Sequence, residues 1–283
     1  NLVGEVDIVV SRLNHYANLE TLELNNLGNV VQGTSSILHS PGTNRVTDID
    51  YDQLDKISLK ELALEKLTLL RSPINCMFCK TKKNKTMTVQ NNLKVLRMSA
   101  VVMPLESWKK LGNQIGLLKL SVVHLHNVSL RGSAQIFMDG IGKCEALEHL
   151  SLINMDTGEI APYVSFLKNL KGLSTLHLEL MKFPGRSSWP LFEGIRECKK
   201  LKNLSFCNID IGVILENVSF DLPILSDLTV DKVRITEESD SLYWLLDAFI
   251  LCKNLKTLSL KNVKKTDIPK VLSDRKTLKI NSE

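Results

Sequence analysis

Aromatic residues are scarce, with Trp, Tyr and Phe together supplying 5% of the 283 residues. A core built mainly on large rings is therefore excluded. An excess of one charge is also lacking: 36 Lys and Arg stand against 31 Asp and Glu, a net charge of +5. A dedicated nucleic-acid binder that neutralises many phosphates does not fit that balance. No apolar run is long enough to span a bilayer, and the longest candidate, Leu242 to Leu251, is broken by Asp247. The opening residues NLVGEVDIVV contain no initiating Met, no basic stretch and no cleavage site, so no signal peptide is read there. Enzyme signatures are missing as well: GxxxxGK[ST], GxGxxG after a strand, HExxH and GxSxG do not occur. Catalysis within this chain is not expected, and neither is a cofactor.

What the chain has in excess is leucine, 48 residues of 283. Such a bias points to one packing unit used many times. The segments LETLEL (Leu19), LKELAL (Leu59), LKVLRM (Leu93), LSVVHL (Leu120) and LEHLSL (Leu147) share one pattern with LSTLHL (Leu173), LKNLSF (Leu201), LSDLTV (Leu225) and LKTLSL (Leu255). Their starts are separated by 40, 34, 27, 27, 26, 28, 24 and 30 residues. Positions one, four, six and nine are apolar in every copy, position nine being Leu27, Leu67, Val101, Val128, Met155, Met181, Ile209, Val233 and Val263.

Alternation at positions four and six sends two side chains of a short strand to one face and their neighbours to the other. Between strands, PLESWKKL (Pro104–Leu111), EIAPYVSFLKNL (Glu159–Leu170) and SLYWLLDAFIL (Ser241–Leu251) carry apolar residues at helical spacing. One strand and one helix cannot bury their own apolar faces, so consecutive copies must stack. The fold class expected is α/β, a solenoid or horseshoe with a concave parallel sheet, convex helices and about nine to ten irregular repeats, and these residues resemble leucine-rich repeats.

The repeats resemble those of the ribonuclease-inhibitor-like subfamily of leucine-rich-repeat proteins. Cys144, Cys198 and Cys252 each stand three residues before a repeat leucine, in GKCEAL, RECKKL and ILCKNL, at a helix-end position that family often fills with Cys. The family's Asn or Cys at position nine is replaced by an apolar residue, while Asn stands one place earlier at Asn26, Asn127, Asn154, Asn208 and Asn262. A regular internal asparagine ladder is therefore not expected.

The chain reads as one domain, residues 1–283, forming the C-terminal part of a longer protein. VDIVVSRLNHYANL has the pattern of a repeat's helix, and KTLKIN (Lys276–Asn281) echoes KTLSLK (Lys256–Lys261) as a terminal strand. Two spans read as inserted loops, residues 32–55 and 71–92. The second holds Cys76 and Cys79 at zinc-knuckle spacing, but no further ligand pair follows, so free thiols are expected and no metal. It also holds Lys80, Lys82, Lys83 and Lys85, a solvated loop tip or a contact for an acidic partner.

Candidate contact residues lie at the outward strand positions. His124, His126, His149 and His177 fall there in consecutive repeats, with Glu148 and Glu179 near them, and are expected to form a patch. Arg97, Ser151, Thr175, Asn203, Ser205, Asp227 and Thr229 extend that surface. Ordinary polar filling of an exposed sheet would look similar. Sequons occur at Asn84, Asn127, Asn203 and Asn217, and a glycan on Asn203 would obstruct the surface. Together with the unpaired cysteines, this points to a cytoplasmic protein.

The resemblance implies a binding module: the sensor or autoinhibitory repeat domain of an intracellular NLR-type innate immune receptor. Its partner would be a protein ligand or another domain of the same receptor, with no specific nucleic acid and no membrane insertion. Any oligomer would form through domains outside this chain. The substrate-recognition repeats of an F-box ubiquitin-ligase adaptor are the alternative. A regulator of a small GTPase lacks assignable contacts, and a ribonuclease-inhibitor-like inhibitor would carry more acidic charge.

Overall fold

The computed structural model describes residues 21–25, 60–65, 79–81, 87–89, 93–156, 163–183, 188–212, 218–235, 242–263 and 265–282. The loop read at residues 32–55 and the helix read in VDIVVSRLNHYANL lie outside them. Two compact units make up the chain, Asn1–Cys144 and Glu145–Glu283.

In the first unit, strands β1 (Thr21–Asn25), β2 (Glu61–Glu65), β5 (Val95–Ser99) and β6 (Val122–His126) pair in parallel in that order. In the second, β7 (His149–Ile153), β8 (Thr175–Glu179), β10 (Asn203–Cys207), β12 (Asp227–Asp231), β14 (Thr257–Lys261) and β15 (Lys279–Ser282) do the same. Nine of these strands begin two residues after one of the nine repeat leucines. The arrangement is an α/β leucine-rich-repeat solenoid fold.

Positions four and six carry the packing. Leu62, Leu96, Val123, Leu150, Leu176, Leu204, Leu228 and Leu258 are all buried, as are their partners two residues on. Each such side chain contributes about 1.5–3 kcal/mol by leaving water. This buried face is covered by α1 (Leu105–Ile115) and α2 (Ala134–Ile141) in the first unit. In the second it is covered by α3 (Ser188–Glu197), α4 (Leu242–Asp247) and α5 (Lys270–Ser273). Trp108 and Phe137 meet edge to face with centroids 5.3 Å apart, and a Cβ on Gly140 would overlap the carbonyl oxygen of Gly112. Only glycine lets α1 and α2 approach that closely. Residues Tyr163–Asn169 form a 3-10 helix instead of an α-helix. Val164, Leu167 and Leu170, all buried, are spaced by three, which is the period of the tighter helix.

Entry to β5, β6, β8, β10, β12 and β14 is set by one carbonyl that accepts two amides from the next repeat, whereas at β15 Lys279 N–H donates to Lys256 O and Leu278 N–H to Arg275 O. Lys94 and Val95 N–H donate to Lys60 O at 2.7 and 3.0 Å, and Ser226 and Asp227 N–H donate to Lys202 O at 2.9 and 3.0 Å. Exit is set by a left-handed residue at position eight: Ala100, Asn127, Asn154, Leu180, Asn208, Lys232 and Asn262 have φ between 48° and 58°. Their N–H groups extend the ladder by one bond, as from Asn208 to Asp231 O at 2.7 Å and from Leu180 to Cys207 O at 3.0 Å. The chain then turns back, and position nine is buried at Val101, Val128, Met155, Met181 and Ile209. The displaced Asn of this sequence is thus a backbone device, since Asn tolerates this conformation better than most residues.

Three differences from the sequence reading follow. The segment read as a loop at 71–92 contains an antiparallel hairpin, β3 (Cys79–Thr81) against β4 (Met87–Val89). Two-residue strands β9 (Lys182–Phe183), β11 (Asp210–Ile211) and β13 (Arg234–Ile235) form a second small parallel ladder. The terminal strand is shifted by two from the KTLKIN echo: Ile280, not Leu278, pairs with Leu258. A shift of two leaves every side chain on the same face, so the alternating pattern alone does not discriminate between the registers.

Leu180, at φ 53° and 42% exposed, is poorly suited to its backbone. Leu180→Asn is expected to raise the unfolding free energy by about 0.5–1 kcal/mol, and Asn208→Leu to lower it by about 1 kcal/mol. Urea denaturation midpoints of the two variants, moving in opposite directions, check this.

Candidate functional site

Odd positions of each strand point away from the helices, and in the second unit they form three rows across adjacent strands. Parallel strands lie ~4.8 Å apart. The first row is His149, Thr175, Asn203, Asp227, Thr257 and Lys279. The second is Ser151, His177, Ser205, Thr229, Ser259 and Asn281. The third holds Ile153, Glu179, Cys207, Asp231 and Lys261.

Within these rows, side chains are partly tied to one another. His177 Nε2 lies 3.1 Å from Glu179 Oε2. Asn203 Nδ2 donates to Thr175 Oγ1 at 3.3 Å. Ser205 Oγ and Cys207 Sγ are 3.3 Å apart, and Asn262 Nδ2 donates to Asp231 Oδ1 at 3.1 Å. These bonds fix rotamers without using up the face, because Asn203 is exposed and Thr175, Asp227 and Thr229 are half-buried. Ser151 differs, at 7% exposed: its short side chain sits below its neighbours and offers little surface.

The first unit brings together Arg97, His124 and His126. Arg97 is in register with His124, and its Nε donates to Glu61 Oε1 at 2.8 Å. His126 Nδ1 lies 3.2 Å from Ser99 Oγ, a residue directly across the ladder. The four histidines therefore divide between the units, two in each. Glu148 is exposed, and its backbone carbonyl accepts the Ser174 and Thr175 amides. Lys80 lies on β3 opposite Thr88; Lys82, Lys83 and Lys85 lie outside the described residues, as does Cys76.

One arrangement escaped the sequence reading. Arg234 grips Asp210 with two bonds, Nε to Oδ1 at 2.7 Å and a terminal nitrogen to Oδ2 at 3.1 Å, across the small ladder of β11 and β13. Its signal was present: Lys182-Phe183, Asp210-Ile211 and Arg234-Ile235 stand at one fixed offset behind their repeat leucines.

The cysteines divide by environment. Cys144, Cys198 and Cys252 are buried, and each thiol donates to the carbonyl of the preceding repeat: Ile115 O at 3.4 Å, Leu167 O at 3.5 Å and Phe220 O at 3.2 Å. Burial pushes the Cys144 and Cys198 thiols up to about 12 from 9.0, and raises Cys252 as well. Cys207, half-buried on the open face, is raised by burial, an effect the Ser205 bond opposes. No group of three or more His, Cys, Asp or Glu among the described residues is placed to hold a metal ion. No helix among them is long and apolar enough to cross a membrane.

The sequence matches no known family model and no curated protein. Similar solved structures include an internalin, InlF, of Listeria monocytogenes, at 11% identity and TM-score 0.44 over 99% of this chain and 90% of that one. A chain of the octameric complex of latrophilin 3, Unc5D and FLRT2 (LRR) matches at 14% identity and TM-score 0.41, covering 94% and 84%. A leucine-rich-repeat protein of Leptospira interrogans matches at 18% and 0.30, covering 96% and 79%.

With their protons held by burial, the three structural thiols should resist alkylation in the folded chain. Iodoacetamide labelling at pH 8, mapped by mass spectrometry, is expected to modify Cys207 ahead of Cys144, Cys198 and Cys252, which become reactive only in urea. The raised folded pKa values mean that the unfolded chain releases protons first. The stability contributed by these thiols is therefore fully present below pH 9 and is lost as pH rises through 9 toward about 12. Cys198→Ala should flatten that alkaline loss in thermal melts.

Proposed function

We propose that this chain is a protein-recognition module, and more specifically the sensor or autoinhibitory repeat domain of an intracellular NLR-type innate immune receptor. The observation that carries the first part is the open face of the second unit. Rows of short polar side chains cross six strands there, with rotamers held by Asn203–Thr175 and His177–Glu179 contacts. Such a face presents many weak, pre-ordered contacts over a wide area, which suits a folded protein surface better than a small molecule enclosed by a pocket.

Thr175, Asn203, Ser205, Asp227 and Thr229 occupy the middle of that face and are assigned the contact, with His149 and His177 at its β7–β8 side. The finer reading is supported by the Cys residues at the ends of the repeat helices and by repeats long enough to hold a helix. Free thiols at Cys144, Cys198, Cys207 and Cys252 favour a reducing compartment, and so a cytoplasmic location. The partner is then a protein ligand or another domain of the same receptor.

A test uses the immobilised chain against an extract of its source cells. The variant Thr175→Arg/Asn203→Arg/Thr229→Arg should lose at least about tenfold in captured partner, since charge and bulk at the centre of an interface are costly. Its melting temperature should stay within a few degrees, because all three side chains point off the core. Undiminished capture would move the contact away from this face. For the finer reading, the native polypeptide isolated with an antibody to this segment should bind ATP; a native protein that binds none would overturn it.

A further inference from the structure

The turns that lead into the strands of the second unit carry a recurrent basic residue. Two places before the repeat leucine, or the matching residue of β15, stand Glu145, Lys171, Lys199, Pro223, Lys253 and Arg275, basic in four copies of six. Three of these cations are committed: Lys171 Nζ meets Glu197 Oε2 at 3.1 Å, Lys199 Nζ donates to Asp221 O at 2.9 Å, and Arg275 binds the carbonyls of Cys252 and Ile250. Flanking them, Lys200, Lys202, Lys256 and Lys276 are exposed. Successive turns are separated by one strand spacing, ~5 Å. The turn before β12 holds Pro223 and Ser226 instead of a cation, so Lys200 and Lys202 stand two strand spacings, ~10 Å, from Lys253 and Lys256. Like charges at that separation repel at low salt, and an anionic partner relieves the repulsion.

The edge already shows how it receives a carboxylate. Glu197 binds Lys171, and the positive groups of Lys171, Lys199 and Arg196 hold its carboxyl below the usual range. This is an internal ligand of the same chemistry as an acidic side chain from outside.

We infer that this strand-entry edge of the second unit, centred on Lys200, Lys202, Lys253 and Lys256, is a docking edge for an acidic segment of a protein partner. The physiological partner rests on the protein-recognition reading above; the edge itself does not. A polyphosphate chain fits less well. Glu197, Asp221 and Asp274 interrupt the cations and would repel a continuous phosphate run, whereas spaced carboxylates of a peptide can avoid them. No aromatic residue stands in these turns to stack a base. The same interruptions weaken attraction to a uniformly anionic bilayer.

The test measures binding of a fluorescein-labelled deca-glutamate peptide to the whole chain by anisotropy at low salt. Single-stranded oligo-dT of ten nucleotides and phosphatidylserine vesicles serve as rival probes. Lys202→Glu/Lys253→Glu/Lys256→Glu should weaken peptide binding by at least about tenfold, and added salt should weaken the wild type in proportion. The charge-matched Lys110→Glu/Lys119→Glu/Lys143→Glu variant should change it less than about twofold. Unchanged melting curves establish that both variants fold. Equal loss in the two variants, or no peptide binding by the wild type, overturns the proposal. So does tighter binding of the oligonucleotide or the vesicles that the edge variant abolishes. Peptide binding lost only in the edge variant supports it, even where the Thr175→Arg/Asn203→Arg/Thr229→Arg variant still captures its partner and the open-face reading fails.

Discussion

Everything in this protein depends on a ladder of backbone hydrogen bonds that re-forms at each repeat. Among the described residues, six carbonyls just before strands each take two amides from the following repeat, and a left-handed residue just after the strand donates a further bond. The strand between them is only five residues long, too short to be stable alone. Fixing both ends sets the register, and with it which side chains enter the core. Leu204 pairs with Leu176 and Leu228, and each of the three is buried. A slip of one residue would exchange Leu204 for Asn203 or Ser205 and leave polar groups in the packed layer.

Because main-chain atoms carry the register, the side chains at two kinds of position are released from structural duty. The residue before each strand is Lys, Ser or Glu in different repeats, and its carbonyl works equally well in all of them. Where it is Ser, the hydroxyl also donates to the carbonyl of the preceding repeat that accepts its backbone N–H: Ser121 to Lys94 O, Ser174 to Glu148 O and Ser226 to Lys202 O. Where it is Lys, as at Lys202 and Lys256, the ammonium group is left to the solvent or a partner. The outward strand positions have the same freedom, so a varied polar surface costs the fold little.

The repeat was fully legible in the sequence because burial acts on every copy alike: all nine starting leucines sit two residues before a strand. The helix-end cysteines were legible for the same reason, since each fills the same small buried niche against a carbonyl of the previous repeat. Position eight was half legible. Asn marks it at Asn127, Asn154, Asn208 and Asn262, but Ala100, Leu180 and Lys232 adopt the same conformation with no sign in their side chains. There the ladder overrides local preference, at a cost of about 1–2 kcal/mol each. The candidate face was legible as a set of positions but not as a surface. Alternation does not show that Ser151 lies beneath its neighbours, that Glu179 holds His177, or that Asp210 holds Arg234.

This separation of duties decides what substitutions can reveal. Changes at position eight, or at a buried leucine, act on the ladder and the core, so they alter stability and every surface together. Changes at Asn203 on the open face, or at Lys256 on the strand-entry edge, touch neither a ladder bond nor a buried contact. Sites that share no partner contribute nearly additively to stability. Binding lost on such a change is therefore binding and not unfolding. Asn203 and Lys256 lie on β10 and just before β14, two strand spacings apart, about 10 Å. One partner surface can cover both, and coupling between their effects on affinity then measures whether face and edge belong to a single interface. Additive losses mark two independent contacts, whereas a shortfall in the double variant marks one partner held across the turn between them.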